Sequence, residues 1–148
     1  MHNTLASSDY GLLAENTFAP RPNYWAALLW HKLMGTSVLD PGPSPAPSLN
    51  LYAQCLRDTQ GGVALLAINL DRAKPQSIEV PMDAQRYTLS ARTLTNAQVR
   101  MNGVDLRLGA RDGLPPLTGA PLQSGTVSLA PATITFLAIP QAHNASCR

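Results

Sequence analysis

Paired carboxylates, a nucleophile beside a base, or clustered metal ligands are the constellations that let a small domain do chemistry, and this chain is poor in all three. It has two glutamates and seven aspartates. Glu15 falls in a polar loop and Glu79 in a short apolar-alternating run, so they do not read as a matched acid/base pair flanking one bond. Asp40, Asp58, Asp71 and Asp112 stand in turn contexts, where a side chain bonding its own backbone accounts for them. Asp9, beside Tyr10, is the exception, but it stands alone. His2, His31 and His143 share no ligand spacing with one another or with the cysteines, so no metal site is expected. Ser7 and Ser8 lie near His2 without the strand–GxSxG–helix elbow that makes a serine nucleophilic. No glycine-rich phosphate loop occurs, and no cofactor is implied. Asn144-Ala145-Ser146 fits a glycosylation sequon, a pattern frequent by chance.

The two cysteines, Cys55 and Cys147, carry more information. They are either two separate thiols or a bridge that ties down the end of the chain. A bridge would close a loop of about 90 residues and imply an oxidising compartment.

The elements that must position these residues divide the chain in two. The opening reads as one apolar strand, a loop with polar and aromatic tips, and a helix over Tyr24 to Met34. Asn23 is expected to cap that helix, Pro20 and Pro22 to keep its approach extended, and Gly35 to end it in a left-handed conformation. Trp25, Leu28, Leu29 and Leu33 recur at helical spacing, and His31 and Lys32 sit where the helix dipole favours cations. A lone β-α unit cannot bury its faces, so the opening reads as the last repeat of something larger. Residues 40–48, DPGPSPAPS, hold four prolines and are expected to form a semi-rigid linker.

Beyond the linker the pattern is β. Leu49 to Arg57 alternates, with Leu49, Leu51, Ala53 and Cys55 on one face. Gly61-Gly62 turns into Val63 to Leu70 (VALLAINL), a continuous apolar run expected to be covered on both faces. Ser77 to Met82 and Tyr87 to Thr93 are weaker strands. Asn102-Gly103 between Val99–Met101 and Val104–Leu108 is a hairpin signal, because both residues tolerate positive φ. Thr126 to Leu129 and Thr133 to Ile139 (TITFLAI) complete the set. The fold class predicted is mainly β: a terminal β-α unit over 1–39, the linker over 40–48, and an antiparallel eight-stranded β-sandwich over 49–148.

Charge and hydropathy exclude several partners. The formal net charge is +2, with basic residues scattered singly, which offers no nucleic-acid or membrane-surface patch. No apolar run approaches the roughly 18 residues of a transmembrane helix. No export-signal pattern opens the sequence.

Read in order, HNTLASSDYGLL, PRPNYWAALLWHKLMGTSVL, VALLAINL, MNGVDL, LPPLTGAPL and ATITFLAI with its trailing cysteine resemble the C-terminal portion of glycoside hydrolase family 79, the heparanases and β-glucuronidases. The resemblance implies a (β/α)₈ barrel with a β-sandwich packed on it. Leu5 to Tyr10 would end the eighth barrel strand and Tyr24 to Met34 would be the eighth helix. It implies a retaining mechanism whose two catalytic glutamates lie on earlier barrel strands, so this chain would hold no catalytic residue and would be inactive alone. Its partners would be the missing barrel and a uronic-acid-containing glycan. Tyr10 would supply a hydroxyl, and Ser8 to Asp9 a backbone N–H, to the substrate carboxylate. Where the heparanases carry a glycine-rich loop, this chain reads Ala6-Ser7-Ser8-Asp9. The family also pairs a cysteine of the first sandwich strand with one at the C-terminus, here Cys55 with Cys147. That pairing and the family together imply an extracellular or periplasmic protein. The alternative from a different class is a non-catalytic β-sandwich for carbohydrate binding or scaffolding. Against a sugar-binding face, Trp25 and Trp30 both lie on the helix, which leaves the sandwich Tyr52, Tyr87 and Phe136.

Overall fold

The computed structural model describes residues 5, 6 and 11–148. Most of the predicted first strand, Leu5 to Tyr10, therefore lies outside the described residues. Helix α1 spans Pro22–Leu33. Proline suits its first position, where a missing N–H costs nothing. Asn23 is not the cap: Arg21 holds that position in an extended conformation without a side-chain cap bond. The Asn23 amide instead reaches back to the Gly11 carbonyl at 3.4 Å. His31 and Lys32 occupy the last turn.

The helix also ends earlier than its sequence indicates. Met34 bonds the Trp30 carbonyl through its N–H and turns extended, and strand β1 (Met34–Leu39) begins there. Gly35 is therefore a strand residue and not a left-handed helix end. Its lack of a side chain serves a close approach, because a Cβ there would lie 2.6 Å from the Cys55 carbonyl oxygen. Gly35→Ala is expected to push β1 off its neighbour and cost about 1–3 kcal/mol, as overpacking does. Urea unfolding of the variant checks this, and an unchanged midpoint would contradict it.

β1 pairs antiparallel with β2 (Leu49–Leu56), so the proline-rich stretch 40–48 joins two neighbouring strands of one sheet. Asp40 Oδ1 accepts the N–H of Gly42, which has φ +75°, and Ser44 Oγ donates to the carbonyls of Ala46 and Leu49. The remaining strands are β3 (Val63–Asn69), β4 (Gln76–Val80), β5 (Ala84–Ala91), β6 (Val99–Met101), β7 (Val104–Asp105), β8 (Ala120–Leu122), β9 (Gly125–Leu129) and β10 (Thr133–Ile139). Eight of them form one antiparallel sheet in the order β1-β2-β3-β10-β5-β6-β7, with β8 also beside β5. β4 and β9 pair with each other as a separate two-stranded ribbon. The layers are thus uneven, one broad sheet and one narrow ribbon in place of eight strands shared between two sheets.

Alternation in the central strands builds two cores. Ala64 and Leu66 of β3, Tyr87 and Leu89 of β5, and Phe136 and Ala138 of β10 face α1, meeting Trp25, Leu29 and Leu33. Ala67, Leu137, Ile139 and Leu49 face the other way, against Ile78, Val80, Val127 and Leu129 of the ribbon. The run VALLAINL is covered on both faces from Ala64 to Ala67, as its unbroken apolarity predicts, and emerges at Leu70, which is exposed. Asn102-Gly103 turns with φ +49° and +86°. Asn102 also extends the sheet with its side chain, accepting from the Thr88 N–H and donating to the Arg86 carbonyl. In the same hairpin Asp105 accepts from Arg100 at 2.8 Å, and that hydrogen bond holds its carboxyl below the usual carboxylate range.

Candidate functional site

Helix α1 and the loop before it form the part of the chain that carries the sequence-predicted site. Ser8, Asp9 and Tyr10 lie outside the described residues, as do His2 and Ser7. The stem that follows them is pinned by main-chain hydrogen bonds. Leu13 N–H donates to Leu5, Arg21 N–H to Leu12 and Ala14 N–H to Ala19, and Leu13 bridges Pro20. Gly11 is buried at the root of this loop and is gripped by Asn23 of the helix. Trp25 of the helix is buried, edge-on to Tyr24 with ring centroids 5.2 Å apart.

Several of the carboxylates elsewhere have structural duties. Glu15 is exposed on the loop, and Glu79 lies on the ribbon, where it accepts from the Thr126 hydroxyl. Asp71 accepts the N–H groups of Ala73 and Lys74 at 2.9 Å each, which holds its carboxyl below the usual range. Asp83, between β4 and β5, accepts the N–H of Ser124, between β8 and β9. Among the described residues no group of three His, Cys, Asp or Glu could hold a metal ion. Among the described residues the two glutamates are not brought together into an acid/base pair: Glu15 is on the loop before α1 and Glu79 on the ribbon.

Cys55 and Cys147 are joined by a disulfide, with Cα atoms 5.2 Å apart. The bridge is reinforced by the backbone around it. Gly61 N–H donates to the Cys147 carbonyl, Asn144 N–H to Gly61, and Cys147 N–H to Asn144. The tail is thus laced to the β2–β3 turn.

Two residues that sequence reasoning did not single out organise this framework. Arg57 Nη2 donates to the Met34 carbonyl at 2.8 Å, fixing the end of the helix to the start of the sheet. Asn69 is buried, and its amide serves the carbonyls of Lys74, Leu129 and Ala130, joining the ribbon to the sheet. Its signal was visible as the one polar side chain inside VALLAINL. Of the three rings in the sheet region, Phe136 and Tyr87 are buried and Tyr52 alone is exposed, at 47%.

No family model matches the chain. Individual relatives do. The baicalin-β-D-glucuronidase of Scutellaria baicalensis is 30% identical over 147 residues, covering 93% of this chain and 27% of that protein. Mouse heparanase is 31% identical over 157 residues, covering 95% of this chain and 29% of the relative. The chain is a homologue of the heparanase and β-glucuronidase glycoside hydrolases. Human inactive heparanase-2 is 27% identical over 94% of the chain. The similarity to these three relatives thus spans nearly the whole chain, while the chain spans less than a third of each of them. Among the described residues no helix is long and apolar enough to cross a membrane.

Proposed function

We propose that this chain is the C-terminal portion of a retaining, family 79-like glycosidase acting on uronic-acid glycans. The observation that carries the reading is the coverage: nine-tenths of the chain aligns, yet only 27% and 29% of the glucuronidase and heparanase relatives are accounted for. In this reading residues 1–39 begin as the last β-α unit of a (β/α)₈ barrel and lead out through β1 into the sheet. Residues 40–48 link that unit to the sandwich region, 49–148, which buttresses the barrel through α1. The two catalytic glutamates belong to the missing barrel, in keeping with the structural duties of Glu79, Asp40, Asp71, Asp83 and Asp105 here. The disulfide and the heparanase-like relatives support an extracellular, lumenal or periplasmic setting.

Within the assembled enzyme, the loop at the C-terminal end of the last barrel strand lies where barrel enzymes hold substrate. There Tyr10 donates its phenol to the uronate carboxylate, and main-chain N–H groups around Ser8 and Asp9 complete the anion cradle. Losing one hydrogen bond to a charged group costs about 1.5–3 kcal/mol. Tyr10→Phe in the complete enzyme should therefore lower kcat/KM for an aryl glucuronide about 10- to 150-fold and leave the matching glucoside nearly unchanged. Equal losses on both substrates would remove Tyr10 from the carboxylate subsite.

The alternative, a free-standing sugar-binding sandwich, finds less support. A stacking platform needs several exposed rings, and the sheet offers Tyr52 alone among the described residues.

A further inference from the structure

At one end of the broad sheet, side-chain and main-chain bonds clamp two turns together. The buried Asn69 amide donates to the carbonyls of Lys74, Leu129 and Ala130, so the β3–β4 and β9–β10 turns hang on one side chain. Asn69 Oδ1 accepts the Asp71 N–H, and the Ala132 N–H donates to the Asp71 carbonyl. The end of β5 and the loop after it stand beside this clamp, because β5 pairs with β10 from Leu89↔Ile134 onward. A cavity of about 300 Å³ lies there, walled by Ala91 and Leu94 on the β5 side and by Pro131 and Ala132 of the β9–β10 turn. Arg72 and Arg92, far apart in sequence, both line it.

The charge of this cavity is uncompensated. No carboxylate lines it. Asp71, next to Arg72, has its carboxylate engaged by the N–H groups of Ala73 and Lys74 at 2.9 Å each. Asp105, within reach of the Arg92 charge, is already held by Arg100 at 2.8 Å and Arg107 at 3.3 Å. Among the described residues Arg72 and Arg92 make no hydrogen bond or ion pair. Two guanidinium groups on one cavity repel, and an anion between them relieves that repulsion. The planar fork of each matches the oxygens of sulfate and phosphate. We propose that this cavity binds a sulfate or phosphate monoester carried on a sugar-sized group, with Arg72 and Arg92 holding the anion. The volume exceeds what a bare oxyanion needs and stands at the lower end of small-molecule sites. Leu94 and Pro131 give the body of the ester an apolar wall, and the Thr93 hydroxyl gives it a polar contact. The site shares no residue with α1 or the loop before it, so it stands independently of the glycosidase reading.

The test is calorimetric titration of the longer polypeptide that includes the portion found in the relatives, at low salt. The probes are glucose 6-sulfate, glucose 6-phosphate, plain glucose, inorganic sulfate and inorganic phosphate. Both esters should bind more tightly than the inorganic anions, glucose should not bind, and added salt should weaken the esters. Arg72→Gln and Arg92→Gln should each weaken ester binding about tenfold or more, the loss expected for one charged hydrogen bond. Both side chains are exposed, so the variants should melt with the parent. Arg111→Gln, an exposed arginine outside the cavity, should bind as the parent does. Absence of ester binding at millimolar concentration would overturn the proposal. Inorganic anions binding as tightly as the esters would also overturn it, by making the occupant an adventitious ion only. An equal loss in Arg111→Gln, or no loss in Arg72→Gln and Arg92→Gln, would place the ester elsewhere and overturn it too.

Discussion

Replacing Cys55 and Cys147 together with alanine is expected to lower the unfolding free energy by about 4 kcal/mol and the melting temperature by roughly 10–15 °C. The bridge joins residues 92 apart in sequence. Closing a loop of that length removes about 4–5 kcal/mol worth of denatured-state freedom in the chain-entropy model. A domain of about 150 residues loses roughly 2–4 °C per kcal/mol. The native state reinforces this effect. Without the bridge, the hydrogen bonds between Gly61, Asn144 and Cys147 hold a tail with little else to fix it. Fraying of residues 144–148 should then precede global unfolding, and amide exchange at Cys147 should accelerate before that of β10. A thermal scan of the double variant within 2 °C of the parent would show that the bridge is ornamental to stability.

Phe136→Ala should cost about 3–5 kcal/mol, enough to leave many domains of this size partly unfolded. Phe136 is 1% exposed in β10, the strand held between β3 and β5, with Leu66 and Tyr87 as cross-strand neighbours. It lies in the core where α1 meets the sheet. Truncation opens a cavity bounded by elements that cannot collapse independently, because β10 is hydrogen-bonded on both edges. Phe136→Leu, which keeps most of the volume, should cost under about 1.5 kcal/mol and serves as the variant that still folds. Denaturant unfolding checks both. A loss below about 1 kcal/mol for the alanine variant would mean that the helix does not seal this core.

Where a single local rule decided the outcome, the fold was legible. Asn102-Gly103 had to be a tight hairpin because few other pairs accept two positive φ angles in succession. VALLAINL and TITFLAI had to be interior strands because no polar face interrupts them apart from Asn69, Thr133 and Thr135, which are buried. β1 was hidden because Gly35 satisfies two opposite rules. A glycine after an amphipathic run signals a left-handed helix end, and a glycine in a strand signals close backbone approach. Only the Cys55 carbonyl lying against it decides between them. β8 was hidden because Pro121 argues against a strand, yet it pairs beside Gln85 at a short flank of β5, where a missing N–H is tolerated. The division of strands between sheet and ribbon depends on β4 finding β9 some fifty residues later, which no local pattern encodes. The near-terminal place of Cys147 already pointed to a bridge that ties down the end, and the family resemblance named its partner as Cys55. Ser8, Asp9 and Tyr10 come from the same resemblance, as positions in a family loop that lies outside the described residues.

The most direct test of the account is hydrolysis of an aryl glucuronide by two purified preparations, this 148-residue chain and the same chain joined to the further portion that its relatives possess, which we propose to be the barrel. The account predicts no turnover from the chain alone and clear turnover from the joined protein, abolished when either barrel glutamate is changed to glutamine. Glucuronidase activity from the 148-residue chain itself, lost on changing Glu15 or Asp9, would contradict it.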